Sequence, residues 1–384
     1  MRILQVIPVF SAPFGGPVAV VRSISKELAK RHEVTVYTTS ALDQRSDFEN
    51  RPFEDRLDGY RVAYFPRIFK FSGFSVSPTM ERALRETLSE YDVIHLHSWR
   101  HFQDLTVYYY AKRYGVPYLL QAHGSLPRIM AKQRLKWIYD TLFGYRLLRD
   151  ASKVIALSQM EAEQYGEMGV PEEKVEIISN GINLSEYGDL PPKGSFKKKF
   201  GIDEDEKIVL YLGRIHESKG LNLLAVSFSI IVKKLENVRL VVVGPDDGHA
   251  ATFSRLISDL GIAEKVLFTG FVEKRDKLAA LVDGDVFVTP CFYGFPVTFL
   301  EACLAGCPIV TTSNELDWIH DNVGYVVNNS PVALAKAISK ILQDERTHER
   351  FRNNCKSAIK NFDISTVTAR LEDTYKSVTR RTVA

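Results

Sequence analysis

The stretch DVFVTPCFYGFPVTFLEACLAGCPIVTT (285–312) has the pattern of a β-strand, an α-helix and a second β-strand. Apolar runs at 285–290 and 307–312 predict the strands, and Pro296 stands where the first turn of the helix should begin. Glu301 carries the sole formal charge between 292 and 310. A carboxylate among apolar residues is costly unless something pairs with it. The stretch therefore predicts a strand–helix–strand unit and raises the question of what pairs with Glu301.

The same alternation extends over the whole chain. Apolar runs are separated by amphipathic stretches, and helices are predicted at 17–31, after Gly16, and at 79–90, after Pro78. Such alternation predicts parallel sheets covered by helices on both faces. The predicted strands of the first half are 3–9, 33–39, 92–98, 117–123, 153–158 and 175–179; those of the second half are 207–213, 238–244, 265–270, 285–290, 307–312 and 324–328.

The length of 384 residues exceeds what one hydrophobic core usually spans, so two domains are expected. Residues 185–201 are rich in Pro, Gly and Lys and are interpreted as a linker with re-entry into the second domain. Open α/β domains bind ligands beyond the carboxyl ends of their strands, where strand order reverses. Two such domains in tandem predict a small-molecule site in a cleft.

Composition excludes several classes of protein. The net charge of +3 gives no argument for nucleic acid, and four Cys do not make a disulfide framework, so a reducing compartment is expected. Cys291, Cys303 and Cys307 are interpreted as small buried hydrophobes rather than metal ligands. No run of 18 apolar residues predicts a spanning helix, and MRILQVIPVF (1–10) is interpreted as a strand rather than a signal peptide.

Two loops that follow predicted strands carry glycines or cations. In FSAPFGGPVAVV (10–21), Gly15 and Gly16 precede a helix and would let a ligand approach its backbone N–H groups; an ordinary turn is the alternative. In LYLGRIHESKG (210–220), Arg214 and Lys219 suit a diphosphate, although two solvated surface charges would look the same.

Two further loops carry a carboxylate and a histidine. Gly294 allows a tight turn before Pro296, and the helix amides near Val297 and Thr298 would face an anion. Glu301, about one turn into this helix, could accept hydrogen bonds from a diol or only complement the helix dipole. His123 ends the strand of PYLLQAHGSLP (117–127), where a substrate contact and a structural role are both open, whereas His95 and His97 are interpreted as satisfied core histidines.

The order and spacing of these segments resemble the retaining glycosyltransferases of family 4, also called glycosyl transferases group 1. The resemblance covers nearly the whole chain, and GRIHESKG (213–220) matches the family's Gly-Arg, four residues, Lys-Gly signature. The other matching segments, in order, are FGGPVAVVRSISKELAKRHEVTVYT, HLHSW, AHGS, SNGIN, VVVGPDDG, VLFTGFVEKRDKLAALVDGDVFVTP and GFPVTFLEACLAGCPIVTT.

The resemblance implies the α/β GT-B fold, in which two Rossmann-like domains face each other across a cleft. Residues 1–186 would form the acceptor domain, with the helix at 364–384 packing back on it. Residues 187–363 would form the nucleotide-sugar donor domain. The activity implied is transfer of a hexose from a nucleotide-diphosphate sugar to a glycan or lipid-linked acceptor, with no cofactor.

The resemblance also implies roles for individual residues. His123 would touch the transferred sugar, Arg214 and Lys219 would neutralise the diphosphate, and Glu301 would hold the ribose hydroxyls, so the ligand would be its partner. The backbone around Phe271 and Val272 would frame the base. The complete set of implied donor-binding residues is Gly15, Gly16, Phe271, Val272, Tyr293, Gly294, Phe295, Pro296, Val297, Thr298 and Glu301.

The implied chemistry requires no metal. No Asp-x-Asp motif lies in a strand-end loop, and an Arg–Lys pair with helix amides can stabilise a departing diphosphate. Two segments depart from the family pattern. Tyr293 stands where the family has the first of two glutamates, and the loop at 313–327 lacks the Gly-Gly-x-Pro-Glu pattern. A non-catalytic nucleotide-sugar-binding relative is therefore an alternative, as is a sugar-nucleotide epimerase of the same fold.

Positive charge is concentrated in one segment of the first half. Between Arg100 and Lys153 there are ten Lys or Arg and three acidic residues, a net +7. Aromatic residues interleave with these charges at 128–149, which suits an anionic membrane surface or an acidic lipid-linked acceptor. A solvated helix with core aromatics is the alternative. We expect a cytoplasmic protein with peripheral contact to the inner face of the membrane.

Overall fold

The computed structural model describes residues 1–11, 16–42, 46–48, 51–71, 74–128, 132–292 and 294–380. The chain divides after Asn183 and again after Phe362, so that residues from Asp363 onward belong with the first 183 residues. We call this first part unit 1 and Leu184–Phe362 unit 2. The divisions expected from the sequence were at 186/187 and 363/364.

In unit 1 an eight-stranded sheet has the order β10-β9-β8-β7-β1-β2-β4-β3. All neighbouring pairs are parallel except β3 with β4, which form an antiparallel hairpin at the edge. The strands are β1 Arg2–Val6, β2 Glu33–Thr39, β3 Phe53–Leu57, β4 Tyr60–Phe65, β7 Val93–His97, β8 Tyr118–Gln121, β9 Lys153–Ala156 and β10 Val175–Ile177, with a separate pair β5 Phe69–Phe71 and β6 Phe74–Val76.

Helices follow most of these strands and cover the sheet. The central strands are apolar and fully buried, as at Leu4, Ile94 and Leu120, which is typical of parallel sheets with two covered faces. The helices of unit 1 are α1 Gly16–Leu28, α2 Pro78–Thr87, α3 Phe102–Tyr114, α4 Gln133–Tyr139, α5 Tyr145–Asp150, α6 Gln159–Glu167 and, at the end of the chain, α14 Ile364–Arg380.

Unit 2 has a six-stranded parallel sheet in the order β13-β12-β11-β14-β15-β16. Its strands are β11 Lys207–Leu212, β12 Val238–Val243, β13 Val266–Gly270, β14 Val286–Val288, β15 Ile309–Thr311 and β16 Gly324–Val326. Its helices are α7 Ser195–Phe200, α8 Leu221–Ile231, α9 Ala250–Asp259, α10 Lys274–Asp283, α11 Val297–Ala305, α12 Pro331–Gln343 and α13 Glu345–Ala358. No helix among the described residues of either unit is long and apolar enough to span a membrane.

All twelve predicted strands are present, each within a few residues of its predicted bounds. The hairpin β3–β4 was not predicted, because β3 is an edge strand whose Glu54, Asp55 and Arg56 are exposed and give no apolar run. The stretch 185–201 is not only a linker, since it contains α7. The Asp283 carboxylate accepts hydrogen bonds from the N–H groups of Gly194, Phe196 and Lys197 at 2.5–3.0 Å and so fixes the start of α7.

Helix α14 is attached to unit 1 by buried polar contacts. The Tyr375 hydroxyl lies 2.7 Å from His95 Nδ1, and Gln5 Nε2 donates to the same hydroxyl at 3.4 Å. At the surface, Glu372 pairs with Arg31 on the loop after α1 and with Lys376. The hydrogen bond from Lys376 is the main cause that lowers the pKa of Glu372 to about 2, and the hydrogen bond from Arg31 adds to it. On the inner side of the helix, Tyr375 therefore hydrogen-bonds residues of two central strands, Gln5 in β1 and His95 in β7.

We predict that Tyr375→Phe destabilises unit 1 by about 1–3 kcal/mol, because His95 Nδ1 stays buried and loses its hydrogen-bond partner. Urea unfolding measures the loss. The matched control is Tyr109→Phe, whose side chain is 57% exposed and whose hydroxyl should contribute little. Equal urea midpoints for the two variants would show that the Tyr375 hydroxyl does not hold α14 in place.

Candidate functional site

Strand order reverses in unit 2 between β11 and β14, which are neighbours in space but distant in sequence. The loops that leave the carboxyl ends of these two strands emerge at the same edge of the sheet. The β11 loop carries Arg214 and Lys219, and the β14 loop leads into α11 with Glu301. The structure therefore brings the predicted diphosphate and ribose residues of unit 2 to one edge.

The two loops are packed against each other at Gly220. Its φ of +72° is in the left-handed region, and a Cβ there would lie 2.8 Å from Pro290 Cβ and 3.4 Å from Cys291 Cβ. Any larger residue would be strained and would also push the β14 loop away. Gly220 thereby allows Lys219 to lie beside the β14 loop.

Lys219 is a half-buried cation with a second cation near it. Burial is the largest cause that lowers its pKa, and the positive charge of Arg214 lowers it further. Arg214 itself pairs with Asp247 at 2.6 Å, and the Tyr211 hydroxyl donates to its carbonyl oxygen at 2.9 Å. Within the described residues, no carboxylate lies within ion-pair distance of Lys219. This edge of the sheet therefore favours an anionic ligand.

Backbone amides add to the positive potential at the same edge. Pro296 is the N-cap of α11, and Val297 and Thr298 are its first two residues, whose N–H groups have no partner within the helix. Gly294, with φ +72°, donates its N–H to Glu315 Oε2 at 2.7 Å. Glu315 comes from the loop at 313–327 that departs from the family pattern. Phe295 is buried and stacks on Trp318.

The Glu301 carboxylate is buried and has two partners within unit 2. Lys277 Nζ on α10 lies 2.6 Å from Oε1, and the Tyr187 hydroxyl donates to the same oxygen at 2.9 Å. We expected a ligand to be the partner of Glu301, but the protein itself supplies two partners, Lys277 and Tyr187. The expectation that only a ligand pairs with Glu301 is therefore wrong. Both bonds end on Oε1, so Oε2 is the oxygen left for a diol, and that role stays a prediction.

His123 in unit 1 is half-buried and ends a chain of hydrogen bonds whose other members are buried. Its Nε2 lies 3.0 Å from His97 Nδ1, and His97 Nε2 lies 2.5 Å from Gln5 Oε1. Gln5 then bonds the Tyr375 hydroxyl, which bonds His95. His95 and His97 are buried, as expected, but only His97 has partners at both ring nitrogens, since His95 Nε2 has none among the described residues. The two histidines also connect His123 to helix α14.

These hydrogen bonds determine which ring nitrogen of His123 donates and which accepts. Burial holds the pKa of His123 and of His95 at about 3 and that of His97 well below its usual value, so all three imidazoles are neutral near pH 7. With Gln5 Oε1 as the acceptor, His97 donates from Nε2 and accepts at Nδ1. His123 must then donate from Nε2, which leaves its Nδ1 as an acceptor.

A buried carboxylate fixes the loop around His123. His123 has φ +53°, and the following Gly124 donates its N–H to Glu161 Oε1 at 2.7 Å. The other oxygen of Glu161 accepts from the N–H of Leu157 at 2.7 Å, so one side chain joins the loops after β8 and β9. Burial raises the pKa of Glu161 to about 6. The left-handed backbone at His123 thus depends on a residue of α6.

The remaining predicted residues are placed as follows. Gly16 is the first residue of α1, after β1, and Phe271 and Val272 directly follow β13 with the Phe271 ring mostly exposed. Gly15 and Tyr293 lie outside the described residues. Cys303, Cys307 and Cys355 are buried, whereas Cys291 is half-buried. The described residues contain no group of three or more side chains suited to a metal ion, and metal independence stays a prediction.

Several residues of the site give no signal in the sequence. Lys277 lies 24 residues before Glu301, and Gln5 and Tyr375 are separated by 370 residues, so their contacts follow only from the packing of elements. Glu161 lies three residues after Ser158, the N-cap of α6, whose side chain accepts a hydrogen bond from the Glu161 N–H. From sequence, Glu161 is therefore interpreted as an ordinary capping-box residue. The one available signal was the two alternating histidines in β7, whose polarity is unusual for a central strand.

Two family models match this chain in succession. Residues 14–186 match Glycosyltransferase Family 4, and residues 192–358 match Glycosyl transferases group 1. An uncharacterized glycosyltransferase of Methanocaldococcus jannaschii is 29% identical over 285 residues, which cover 71% of either chain. A GDP-mannose-dependent alpha-(1-6)-phosphatidylinositol monomannoside mannosyltransferase of Mycolicibacterium smegmatis is 23% identical, over 86% of this chain and 87% of the relative.

A solved structure shares the fold. HepE of Anabaena, crystallised with UDP and glucose, superposes with a TM-score of 0.76 at 19% identity, over 98% of this chain and all of the other. This likeness and the two sheets described above establish the GT-B fold. The two family models together span nearly the whole chain and meet close to the division between the units. The chain therefore belongs to glycosyltransferase family 4 and is an enzyme that transfers a sugar from a nucleotide sugar.

Proposed function

We propose that this glycosyltransferase moves a hexose from a nucleotide-diphosphate sugar to a glycan or lipid-linked acceptor, with retention of anomeric configuration and without a metal. The observation that carries the proposal is the cationic edge of unit 2, where Lys219 lies half-buried beside Arg214 with no carboxylate at ion-pair distance among the described residues. A diphosphate is the ligand whose charge suits this pair.

The chemistry follows from where charge develops. When the bond between the sugar C1 and the phosphate oxygen breaks, negative charge grows on the departing diphosphate, where Arg214, Lys219 and the first amides of α11 can stabilise it. The acceptor hydroxyl attacks C1 from the face that the phosphate leaves. A phosphate oxygen takes the hydroxyl proton, so the step needs no enzymic nucleophile.

His123 serves as a neutral hydrogen-bonding group in this proposal. Its lowered pKa argues against a role as general acid, and its Nδ1 is available to accept a bond from a sugar hydroxyl. The donor sugar stays open. The mycobacterial relative is named for GDP-mannose, and the structure of HepE was solved with UDP and glucose.

The acceptor class and the two alternatives are separable by experiment. The non-catalytic alternative rested on Tyr293, and release of free sugar from a nucleotide sugar without acceptor would reject it. A new epimer of the nucleotide sugar would identify the epimerase. After incubation with a panel of UDP- and GDP-sugars, mass spectrometry detects the released sugar, and NMR of the separated nucleotide sugars detects an epimer, which has the same mass as its substrate. Addition of glycan or lipid acceptors then identifies the transfer product.

We predict that Arg214→Ala and Lys219→Ala each lower kcat/KM by about 10²–10³-fold, about 2.7–4 kcal/mol, by analogy with loss of an oxyanion donor. Both residues lie in a loop, so the urea midpoint should change little. The control is Arg255→Ala, which removes an exposed cation from α9 of the same unit. Rates like those of the wild type in both loop variants would refute the diphosphate site.

We predict that Glu301→Gln weakens binding of UDP or GDP by about 1–3 kcal/mol, because the diol loses a charged acceptor. Titration calorimetry with the bare nucleoside diphosphate measures this loss. Tyr187→Phe is the control, since it removes a protein bond to Oε1 and leaves the carboxylate in place. Tyr293→Phe should instead change discrimination among donor sugars. If it weakens the bare diphosphate as much as Glu301→Gln does, the assigned roles are wrong.

We also predict that full activity survives EDTA, because the cations that oppose the diphosphate belong to the protein. Rates before and after chelation, and after addition of Mg²⁺ or Mn²⁺, test this. Loss of activity that either ion restores would contradict a metal-independent mechanism.

A further inference from the structure

One helical segment of unit 1 exposes large apolar side chains. Residues 133–150 form α4, a π-helical turn at Asp140–Gly144 and α5 without interruption, and we call them the exposed segment. Trp137 is 56% and Leu142 58% exposed. Among the described residues, fifteen large hydrophobic side chains are exposed, and six of them belong to this segment: Leu135, Trp137, Ile138, Leu142, Phe143 and Tyr145.

The inward side of the exposed segment is held by a buried ion pair. Asp140 is fully buried, and Arg100 donates to both of its oxygens, from Nε at 2.9 Å and from Nη2 at 2.8 Å. Arg100 also donates to the carbonyl oxygens of Ser125 and Leu126. A Cβ at Gly144 would lie 3.0 Å from Asp140 Oδ1, so the turn packs closely there. The segment is therefore fixed with its apolar side chains outward.

Cations accompany the exposed apolar side chains. Lys132, Arg134, Arg146 and Arg149 are exposed, and Lys136 is half-buried. The two acidic residues of the segment are already paired, Asp140 with Arg100 and Asp150 with Lys112. The outer surface thus combines Trp, Tyr, Phe and Leu with a net positive charge, the composition of helices that lie in the interface of an anionic bilayer.

The positive charge of the exposed segment favours an anionic membrane over a second copy of this chain as the partner that covers it. A two-fold dimer through this surface would place the cations of one copy opposite the same cations of the other, which costs free energy. An anionic lipid surface instead attracts each nearby Lys or Arg and accepts the apolar side chains below its headgroups. We propose that the exposed segment docks the enzyme on an anionic membrane surface.

This inference goes beyond the proposed function, because hydrolysis of a nucleotide sugar in solution does not require docking. Flotation of the full chain with phosphatidylglycerol vesicles and with phosphatidylcholine vesicles tests it. We expect binding to the anionic vesicles that falls with added salt, and little binding to the neutral ones. The variant Trp137→Ser, Leu142→Ser, Phe143→Ser should reduce the bound fraction about tenfold or more.

The matched control variant is Ile68→Ser with Val332→Ser, which removes side chains that are 72% and 66% exposed elsewhere on the chain. It should float like the wild type, and both variants should keep their urea midpoints. Failure of the wild type to float with anionic vesicles would overturn the proposal. So would dimerisation in sedimentation experiments that only the triple variant abolishes, since a second copy would then cover the segment.

Discussion

The positive charge of Lys219 is the constraint on which the site depends. Burial and the neighbouring Arg214 both disfavour it, and Cys291 and Glu315 offset them only in part. Among the described residues no carboxylate lies at ion-pair distance from Lys219. The fold keeps Lys219 there by packing two loops against each other at Gly220, where a side chain would collide with Pro290. A protein that maintains such a charge at the carboxyl edge of a sheet is built for an anion, and the amides at the start of α11 strengthen the same potential.

Two buried carboxylates contrast with Lys219 because their partners are present. Glu301 is paired with Lys277 and Tyr187, and Asp140 accepts from Nε and Nη2 of Arg100. Buried charges are usually paired in this way, so an unpaired one marks function more strongly than a paired one. The two paired carboxylates instead fix local geometry. Asp140 holds the exposed segment in place, and Glu301 joins α11 to Lys277 of α10.

Features of the fold and the site could be predicted where they depend on residues close together in sequence. The parallel strands were predictable because their side chains are buried on both faces and give continuous apolar runs, as in VRLVVV of β12. The edge strand β3 was not, because its FEDRL sequence faces solvent. The Gly-Arg…Lys-Gly loop was predictable from a local motif. Lys277, Gln5 and Tyr375 were not, since tertiary packing alone brings them to Glu301 and His95.

The measurement that tests the cationic edge most directly is proton uptake on binding of UDP or GDP. Between about pH 8.5 and 10 the diphosphate is fully ionised, and ionisation of the uracil or guanine base is common to the wild type and a Lys219 variant. Proton uptake that requires Lys219 therefore reports the lysine with its lowered pKa. An anion beside Lys219 raises its pKa, and calorimetry in buffers of different ionisation enthalpy should show that the wild type takes up protons on binding while Lys219→Met does not. Equal proton uptake by both proteins, or none by the wild type despite binding, would contradict the account.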